Sequence, residues 1–263
     1  MRHERSWALR QHRLRCGCSV KSISSWFFSS TVMLVAIHQP NYAPWIGYFR
    51  KIARASHFIF LDDAAFSKGS VINRVRILDD GKPAWLTVPA KPSSGTLIAA
   101  VVAGQSDWPK RHLSRLFNVY SGAGAFHEIW PDIERLYDSL PADKLADANR
   151  IIIHEVCAFL GIEPVFHCAS EIGAGRTGDD RLIALVKAIP GATGYLSGRG
   201  GRKYQDESKF EAAGLTLAYN DYDPVAYAQT SPDFTPGLSI LDAAFNLGWE
   251  GAAALVTGDS GSN

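Results

Sequence analysis

Short apolar runs and helical repeats of apolar residues alternate along the chain. Residues 34–38 form an apolar run, and aromatic and aliphatic residues between positions 45 and 53 then recur at helical spacing. Residues 57–61 form a second apolar run. The order strand, helix, strand predicts a βαβ unit, with parallel strands and a right-handed crossover.

The remaining pattern predicts a hairpin, a helical middle and a second run of alternating elements. Short strands at 74–78 and 84–89 flank the turn sequence DDGK, whose residues tolerate positive φ. Residues 97–103 predict a further strand, and helical spacing dominates from 108 to 161. Strands are then expected at 164–168, 193–197 and 215–219, and helices at 180–189, before 214 and at 239–247. We therefore expect an α/β fold, with a mostly parallel Rossmann-like sheet and a helical insertion near 105–160.

The charge of the chain is unevenly distributed. Its 263 residues carry 27 basic and 26 acidic side chains, but residues 1–32 contain six basic residues and only one acidic residue. The remainder, with 21 basic and 25 acidic residues, is mildly acidic. The near-neutral total argues against a protein built to bind nucleic acid. No run approaches the roughly 18 apolar residues of a membrane-spanning helix, so no membrane insertion is expected.

Residues 1–32 differ from the rest in composition and pattern. They are rich in Arg and Ser and lack a clear hydrophobic period, whereas the first strand follows directly after Met33. We interpret them as a disordered N-terminal extension before a single domain at 33–256, with a transit peptide as the alternative. Residues 257–263, rich in Gly and Ser, predict a flexible tail. Four cysteines in a chain of this length give no disulfide framework and favour a cytoplasmic location.

The first group of candidate site residues follows the first predicted strand, in the sequence HQPNYAPW. Ligands in open α/β sheets bind at the carboxyl ends of strands, and a helix that begins there offers free N–H groups to an anion. An imidazole, two amides, a phenol and an indole on one turn make a dense set of polar and aromatic groups. The predicted site residues of this turn are His38, Gln39, Asn41, Tyr42 and Trp45.

A second group follows the second predicted strand and so lies at the same expected sheet edge. Asp62 and Asp63 are paired carboxylates, which can bind Mg²⁺, orient an amine or act as a base. Polar and basic residues come next in the chain, and their charge suits recognition of a phosphate or a carboxylate. These candidates are Lys68, Asn73, Arg74 and Arg76.

The third candidate is the Gly-rich sequence SGRGGRKY, between a predicted strand and a predicted helix. A Gly-rich backbone lets N–H groups close on phosphate oxygens, and the basic side chains add charge. The spacing matches neither G-x-x-x-x-G-K-[ST] nor G-x-G-x-x-G, so neither of those mechanisms applies. The predicted binding residues are Ser197, Gly198, Gly200, Gly201, Arg202 and Tyr204.

These segments together resemble the WbqC-like protein family. The matching stretches are IHQPNYAPWIGYFRKIARASHFIFLDDAAFSKGSVINRVRI at 37–77, WLTVP at 85–89, YLSGRGGRKYQDESKFEAAGL at 195–215 and FTPGLSILDAAFNLG at 234–248. The resemblance covers nearly all of 33–250. It implies a bacterial protein of surface-polysaccharide (O-antigen) biosynthesis, with transfer of glycine or a similar aminoacyl group to an amino sugar as the suggested reaction.

The order of the elements is also similar to the front half of HIGH-type nucleotidyltransferases, at the level of the fold. Three functions therefore remain open. The leading one is a transferase acting on a nucleotide-linked sugar, in which His38, Asp62, Asp63 and Lys68 are the catalytic candidates. The alternatives are a nucleotidyltransferase that uses ATP and Mg²⁺, and a non-catalytic nucleotide-sugar binding protein. No metal ligands are assigned.

Overall fold

The computed structural model describes residues 32–67 and 69–258. The predicted N-terminal extension up to residue 31, Lys68, and residues 259–263 of the predicted tail lie outside the described residues. What was predicted for them stays a prediction.

Seven strands and eight α-helices make up the described chain. The strands are β1 (Leu34–His38), β2 (His57–Phe60), β3 (Arg74–Asp79), β4 (Lys82–Thr87), β5 (Val165–Cys168), β6 (Gly194–Gly198) and β7 (Thr216–Asn220). The helices are α1 (Ile46–Ala53), α2 (Trp108–Tyr120), α3 (Phe126–Asp138), α4 (Leu145–Phe159), α5 (Ala169–Ile172), α6 (Gly178–Lys187), α7 (Glu207–Ala212) and α8 (Ile240–Thr257). None of these helices is long and apolar enough to cross a membrane.

Five of the strands form a parallel sheet in the order β5-β2-β1-β6-β7. From β1 the chain moves outward to β2 and β5, then returns to β6 on the other side of β1 and continues to β7. The direction of winding therefore reverses between β1 and β6. Such a reversal opens a crevice at the carboxyl ends of the two central strands, where ligands of doubly wound sheets bind.

Helices cover both faces of the sheet, because successive strand residues point to opposite sides. Ala36, Phe58 and Phe60 belong to the larger core, which also contains the buried faces of α1, α8 and the helices α2–α4 between β4 and β5. Val35 and Ile37 belong to a second core under α6 and α7. The predicted α/β class, mostly parallel sheet and helical insertion are thus confirmed.

Three local predictions were wrong. Residues 97–103 were expected to form a strand, but the structure has a 3₁₀ turn at Ile98–Ala100 with only isolated bridges around it. The Gly-rich segment after β6 is not an open loop, since Arg199–Lys203 forms another 3₁₀ turn. Helix α8 runs to Thr257, beyond its expected end at 247, across a break at Gly248 where φ is 75°. Glycine adopts a positive φ without strain, and the residues after Gly248 are helical again.

Candidate functional site

The carboxyl edge of the sheet brings together parts of all three predicted groups. His38 ends β1, Asp62 follows β2 by two residues, and Ser197 and Gly198 end β6. Since β2, β1 and β6 are parallel neighbours, these ends lie side by side at one edge. The crevice between β1 and β6 is the centre of this candidate site.

His38 is half-buried at the crevice and is a neutral imidazole. Its Nδ1–H donates to the Gln39 carbonyl at 3.1 Å, and its ring packs edge-on against Tyr48 at 4.8 Å between centroids. Burial, and then the nearby positive charge of Lys51, lowers the pKa of His38 to about 3. The one proton of the ring is already donated, so Nε2 is left as a hydrogen-bond acceptor or base. This imidazole is therefore poorly suited to hold a phosphate, the part that the sequence suggested for it.

A positive charge at the crevice comes from Lys51 of α1, which was not among the predicted site residues. Its side chain is 3% exposed and its Nζ donates to the Ile37 carbonyl at 2.7 Å. Burial lowers the pKa of Lys51 to about 7. The Lys51 side chain reaches the carboxyl edge because helical side chains point back toward the helix N-terminus, and α1 begins at that edge, shortly after β1 ends.

Asp62 is sealed within the protein. It is 1% exposed, and its carboxylate accepts hydrogen bonds from the Ser170 backbone N–H at 3.0 Å and the Ser170 hydroxyl at 2.7 Å. Arg150 of α4 lies 3.5 Å from the same carboxylate. In this arrangement the Asp62 carboxylate has almost no exposed surface for a ligand, and it helps to position Arg150.

Arg150 lines a groove of about 760 Å³ between α4 and the edge strand β5. Its guanidinium is held by Asp147 and by the sulfur of Cys168, 2.8 Å from Nη1. The floor is aromatic: the rings of Phe60 and Phe166 stack with their centroids 5.2 Å apart. The groove thus combines a fixed arginine, apolar rings and several carboxylates.

Asp63 is likewise occupied, because it forms an ion pair with Arg181 of α6. Neither carboxylate of this pair is therefore free to coordinate a metal ion, one of the three roles that the sequence left open for them. Among residues 32–67 and 69–258, no group of three or more His, Cys, Asp or Glu side chains is arranged as a metal site. The residues present do not fit a bound Mg²⁺, and no step is derived through one.

The charge of the segment after β6 is largely neutralised. Arg202 forms an ion pair with Asp221 and its guanidinium stacks over the Tyr219 ring at 4.1 Å. Arg199 pairs with Asp223 at 2.9 Å. Tyr204 is 74% exposed and projects from the end of the 3₁₀ turn. Ser197 is 2% exposed, so the backbone of this segment, more than its side chains, is what it offers to a ligand.

Gly201 is required by packing at this point, and its replacement gives a testable prediction. A Cβ there would overlap the Ser197 hydroxyl and the Gln205 side chain, whereas a Cβ at Gly200 has no heavy atom within 4 Å. We expect Gly201→Ala to lower the free energy of unfolding by about 1–3 kcal/mol, and Gly200→Ala to change it by less than about 0.5 kcal/mol. Urea denaturation measures both. Equal effects of the two substitutions would show that this packing is not restrictive.

Some residues of the turn after β1 lie at the candidate site, and others are buried in the core. Trp45 is half-buried and faces His38 edge-on at 6.3 Å, and the Gln39 carbonyl accepts from the Tyr48 hydroxyl at 2.9 Å. Asn41 and Tyr42, in contrast, are fully buried. The Tyr42 hydroxyl bonds to His112 and Tyr137, both at 2.7 Å, so it anchors the turn to the helical insertion. Neither buried side chain presents a surface to a ligand in this structure.

The predicted residues of the hairpin lie apart from the crevice. The guanidinium of Arg74 stacks on the Trp85 ring at 4.2 Å, and Arg76 donates to the Pro236 carbonyl at 3.1 Å. Asn73 donates to the Val88 carbonyl at 2.9 Å and lines a different cavity, of about 470 Å³. The structure joins none of these three side chains to His38, Lys51 or Asp62 by a hydrogen bond or an ion pair.

Sequence reasoning missed Lys51, Arg150 and Ser170. Lys51 carried a usable signal, because it stands three residues after Tyr48 on the apolar face of α1, where a charged residue is unexpected. Arg150 and Ser170 carried none. Each of them contacts Asp62, which stands 88 residues before Arg150 and 108 residues before Ser170 in the sequence.

Two comparisons with known proteins bear on this site. The sequence model of the WbqC-like protein family matches residues 39–254, which begin directly after His38 and include Lys51, the helical insertion, β6 and most of α8. The uncharacterized protein Rv1507c of Mycobacterium tuberculosis is 35% identical over 221 residues, which cover 82% of this chain and 94% of that protein.

Proposed function

The chain belongs to the WbqC-like protein family, and on that premise we propose that it is a transferase whose phosphorylated substrate binds in the crevice between β1 and β6. One observation carries this proposal. The strand order reverses between β1 and β6, whose ends continue into the HQPNY turn and the Ser197–Gly201 segment, and doubly wound sheets bind nucleotides and other phosphorylated molecules at such a reversal.

The finer proposal is transfer of an aminoacyl group, such as glycyl, to the amine of a nucleotide-linked sugar in bacterial surface-polysaccharide synthesis. Forming that amide requires activation of a carboxyl group. In the proposed reaction the amino-acid carboxylate attacks the α-phosphorus of ATP and pyrophosphate leaves. The sugar amine then attacks the acyl carbon, an amide forms, AMP leaves, and the amine proton passes to a base.

The residues present support a division of labour within such a reaction. Neutral His38 has a free Nε2 lone pair at the crevice, which can accept a hydrogen bond from the amine and orient it. The groove lined by Arg150 lies at the same edge of the sheet and is roomy enough for a sugar. Its lining includes Asp147, Glu155 and Glu171 against the single Arg150, so it favours a group with positive charge such as an amine.

The direct test uses the full chain with ATP, glycine, Mg²⁺ and a panel of nucleotide-linked amino sugars. The proposal predicts release of pyrophosphate that depends on both glycine and the sugar, and a sugar product heavier by one glycyl group in mass spectrometry. A nucleotidyl adduct of the sugar would instead indicate the nucleotidyltransferase alternative. Binding of the sugar without any product would indicate the non-catalytic alternative.

The role of Arg150 can be tested against a closely matched residue. Arg150 and Arg135 both pair with an aspartate three residues earlier on a helix, but Arg135 lies on the surface. We expect Arg150→Gln to raise the KM for the amino sugar about tenfold, because one charge-assisted hydrogen bond from the guanidinium to a sugar hydroxyl is lost, with a smaller change in kcat. Arg135→Gln should leave both constants unchanged. Equal KM and kcat values for the two variants would show that the groove does not bind the amino sugar.

A further inference from the structure

A charged side chain without a counter-charge lies in the crevice. Lys51 is 3% exposed, and none of the described carboxylates comes within ion-pair distance of its Nζ. The titratable groups that face it are His38 at the end of β1 and Tyr195 on β6, whose ring centroid is 6.0 Å from Nζ. Buried charges in proteins are normally paired, because removing an ion from water costs several kcal/mol.

The position of Nζ coincides with the opening of the sheet. Pairing of β1 with β6 ends at Ala36 and Leu196, although β6 continues to pair with β7 as far as Gly198. The Leu34 and His38 carbonyls accept hydrogen bonds from residues next to β2, Ser56 and Leu61. Because the carbonyls of successive strand residues point to opposite neighbours, the Ile37 carbonyl points toward β6. Lys51 donates to this carbonyl at 2.7 Å, in place of a β6 amide. The ammonium therefore lies where the two central strands separate.

There is space beside the glycines at the end of β6. A Cβ added at Gly198 or Gly200 would meet no heavy atom within 4 Å. Nζ has three N–H groups and one of them is used on Ile37, which leaves donors for an incoming acceptor. Arg199 and Arg202 are already paired with Asp221 and Asp223, so they do not compete for it.

We propose that Lys51 is the anion-binding residue of the crevice, and that a phosphate group of the substrate supplies its missing counter-charge. This assignment rests on the proposed function only in placing a phosphorylated substrate at the crevice. A lysine that binds a phosphate differs from a purely structural lysine in one measurable property. An amine that is partly neutral in the free protein must take up a proton when a phosphate binds beside it.

The sign of the resulting pH dependence follows from the state of the free amine. Burial lowers the pKa of Lys51 to about 7, so above that pH the free protein holds mostly the neutral amine. A bound phosphate favours the ammonium and raises the pKa. Affinity for a phosphate should therefore fall as the pH rises, roughly tenfold per pH unit, until the pKa of the complex is reached.

The experiment is titration calorimetry of the full chain with UDP between pH 7.5 and 8.5, where the diphosphate is almost fully ionised and the uracil ring keeps its proton. Measurements in two buffers of different ionisation enthalpy count the protons taken up. We expect uptake approaching one proton at pH 8.5, and a Kd that rises roughly tenfold from pH 7.5 to 8.5. This readout uses the wild-type protein and depends on no variant folding correctly.

Two variants sharpen the test. Lys51→Met keeps the length of the side chain and removes the charge, so binding should weaken at least tenfold, about 1.4 kcal/mol, and lose its proton uptake. Lys187→Met removes an exposed lysine from the last turn of α6 and should change neither quantity. Unfolding of Lys51→Met at the same or a higher urea concentration than wild type would show that the fold is intact.

The outcomes separate this inference from the proposed function. UDP binding that is independent of pH and equal in wild type and Lys51→Met would overturn the role of Lys51 while leaving the crevice as a phosphate site. Absence of UDP binding to the wild-type protein at every pH would contradict the proposed function itself, and with it the anion that Lys51 is proposed to meet.

Discussion

The free energy of unfolding is expected to fall by about 4 kcal/mol between pH 6.5 and pH 4.5, because two imidazoles stay mostly neutral in the folded protein but become protonated in the unfolded chain. Burial lowers the pKa of His112 to about 4 and that of His38 to about 3, from an ordinary value of 6.5. In this pH range the unfolded chain binds protons that the folded chain does not. The stability is therefore fully present above pH 6.5 and is lost as the pH falls toward the folded-state values.

His112 shows why the folded protein resists protonation. Its Nε2–H donates to the Thr87 carbonyl at 3.1 Å, and its Nδ1 accepts from the Tyr42 hydroxyl at 2.7 Å. Tyr137 in turn donates to Tyr42. A second proton on the ring would occupy Nδ1 and oblige this buried chain of hydroxyls to reverse, so acid disrupts the link between the HQPNY turn and the helical insertion.

Urea denaturation at pH 4.5, 5.5 and 6.5, followed by tryptophan fluorescence, measures this loss. His112→Gln can still donate to Thr87 and accept from Tyr42 without titrating, so it should remove about half of the pH dependence. Burial raises the pKa of Asp242, and this group opposes the trend. A stability that is flat over this range, or a His112→Gln variant with the full slope, would contradict the assignment.

Replacement of Asp242 by Ala is expected to lower the free energy of unfolding by about 3–5 kcal/mol. Asp242 is fully buried in the first turn of α8. Its carboxylate accepts from the hydroxyls of Tyr120 at 3.0 Å and Tyr227 at 2.7 Å, and from the Gln229 amide at 3.1 Å. The substitution leaves the two hydroxyls without this acceptor and removes one of two acceptors of the Gln229 amide, which also donates to the Thr235 carbonyl at 3.1 Å.

This network also supports the candidate site. The residues just before Asp242 hold the turn after β1: the Ser239 hydroxyl donates to the Ala43 carbonyl at 2.7 Å, and the Ile240 N–H donates to the Pro44 carbonyl at 2.9 Å. A loosened α8 would therefore disturb the turn that carries His38.

Asp180 provides the matched control for Asp242. It also lies in the first turn of a helix, α6, but is exposed. Asp180→Ala should lower the free energy of unfolding by less than about 1 kcal/mol, the value of an acidic residue near an exposed helix N-terminus. Urea denaturation of the two variants at pH 7 compares them directly. Similar losses would mean that the buried hydrogen bonds of Asp242 contribute little.

Much of the fold could be predicted because its signals are local. The apolar runs that became β1 and β2 are short and almost uninterrupted, as expected of central strands covered on both faces. The wrong strand at 97–103 shows the limit of that signal. Its pattern was apolar enough for a strand, but in the fold no continuous edge pairs with it, so it closes into a 3₁₀ turn.

The sequence by itself determined which segments reach the carboxyl edge of the sheet, since chain order and parallel strands put the ends of β1, β2 and β6 there. Only the tertiary structure decided what each side chain does at that edge. Asp62 pairs with Arg150, and Arg202 pairs with Asp221. Tyr42 is buried, and Lys51 forms no ion pair with a described carboxylate. The physical reason is that the charge and exposure of a polar group depend on neighbours contributed by distant segments, which no local pattern records.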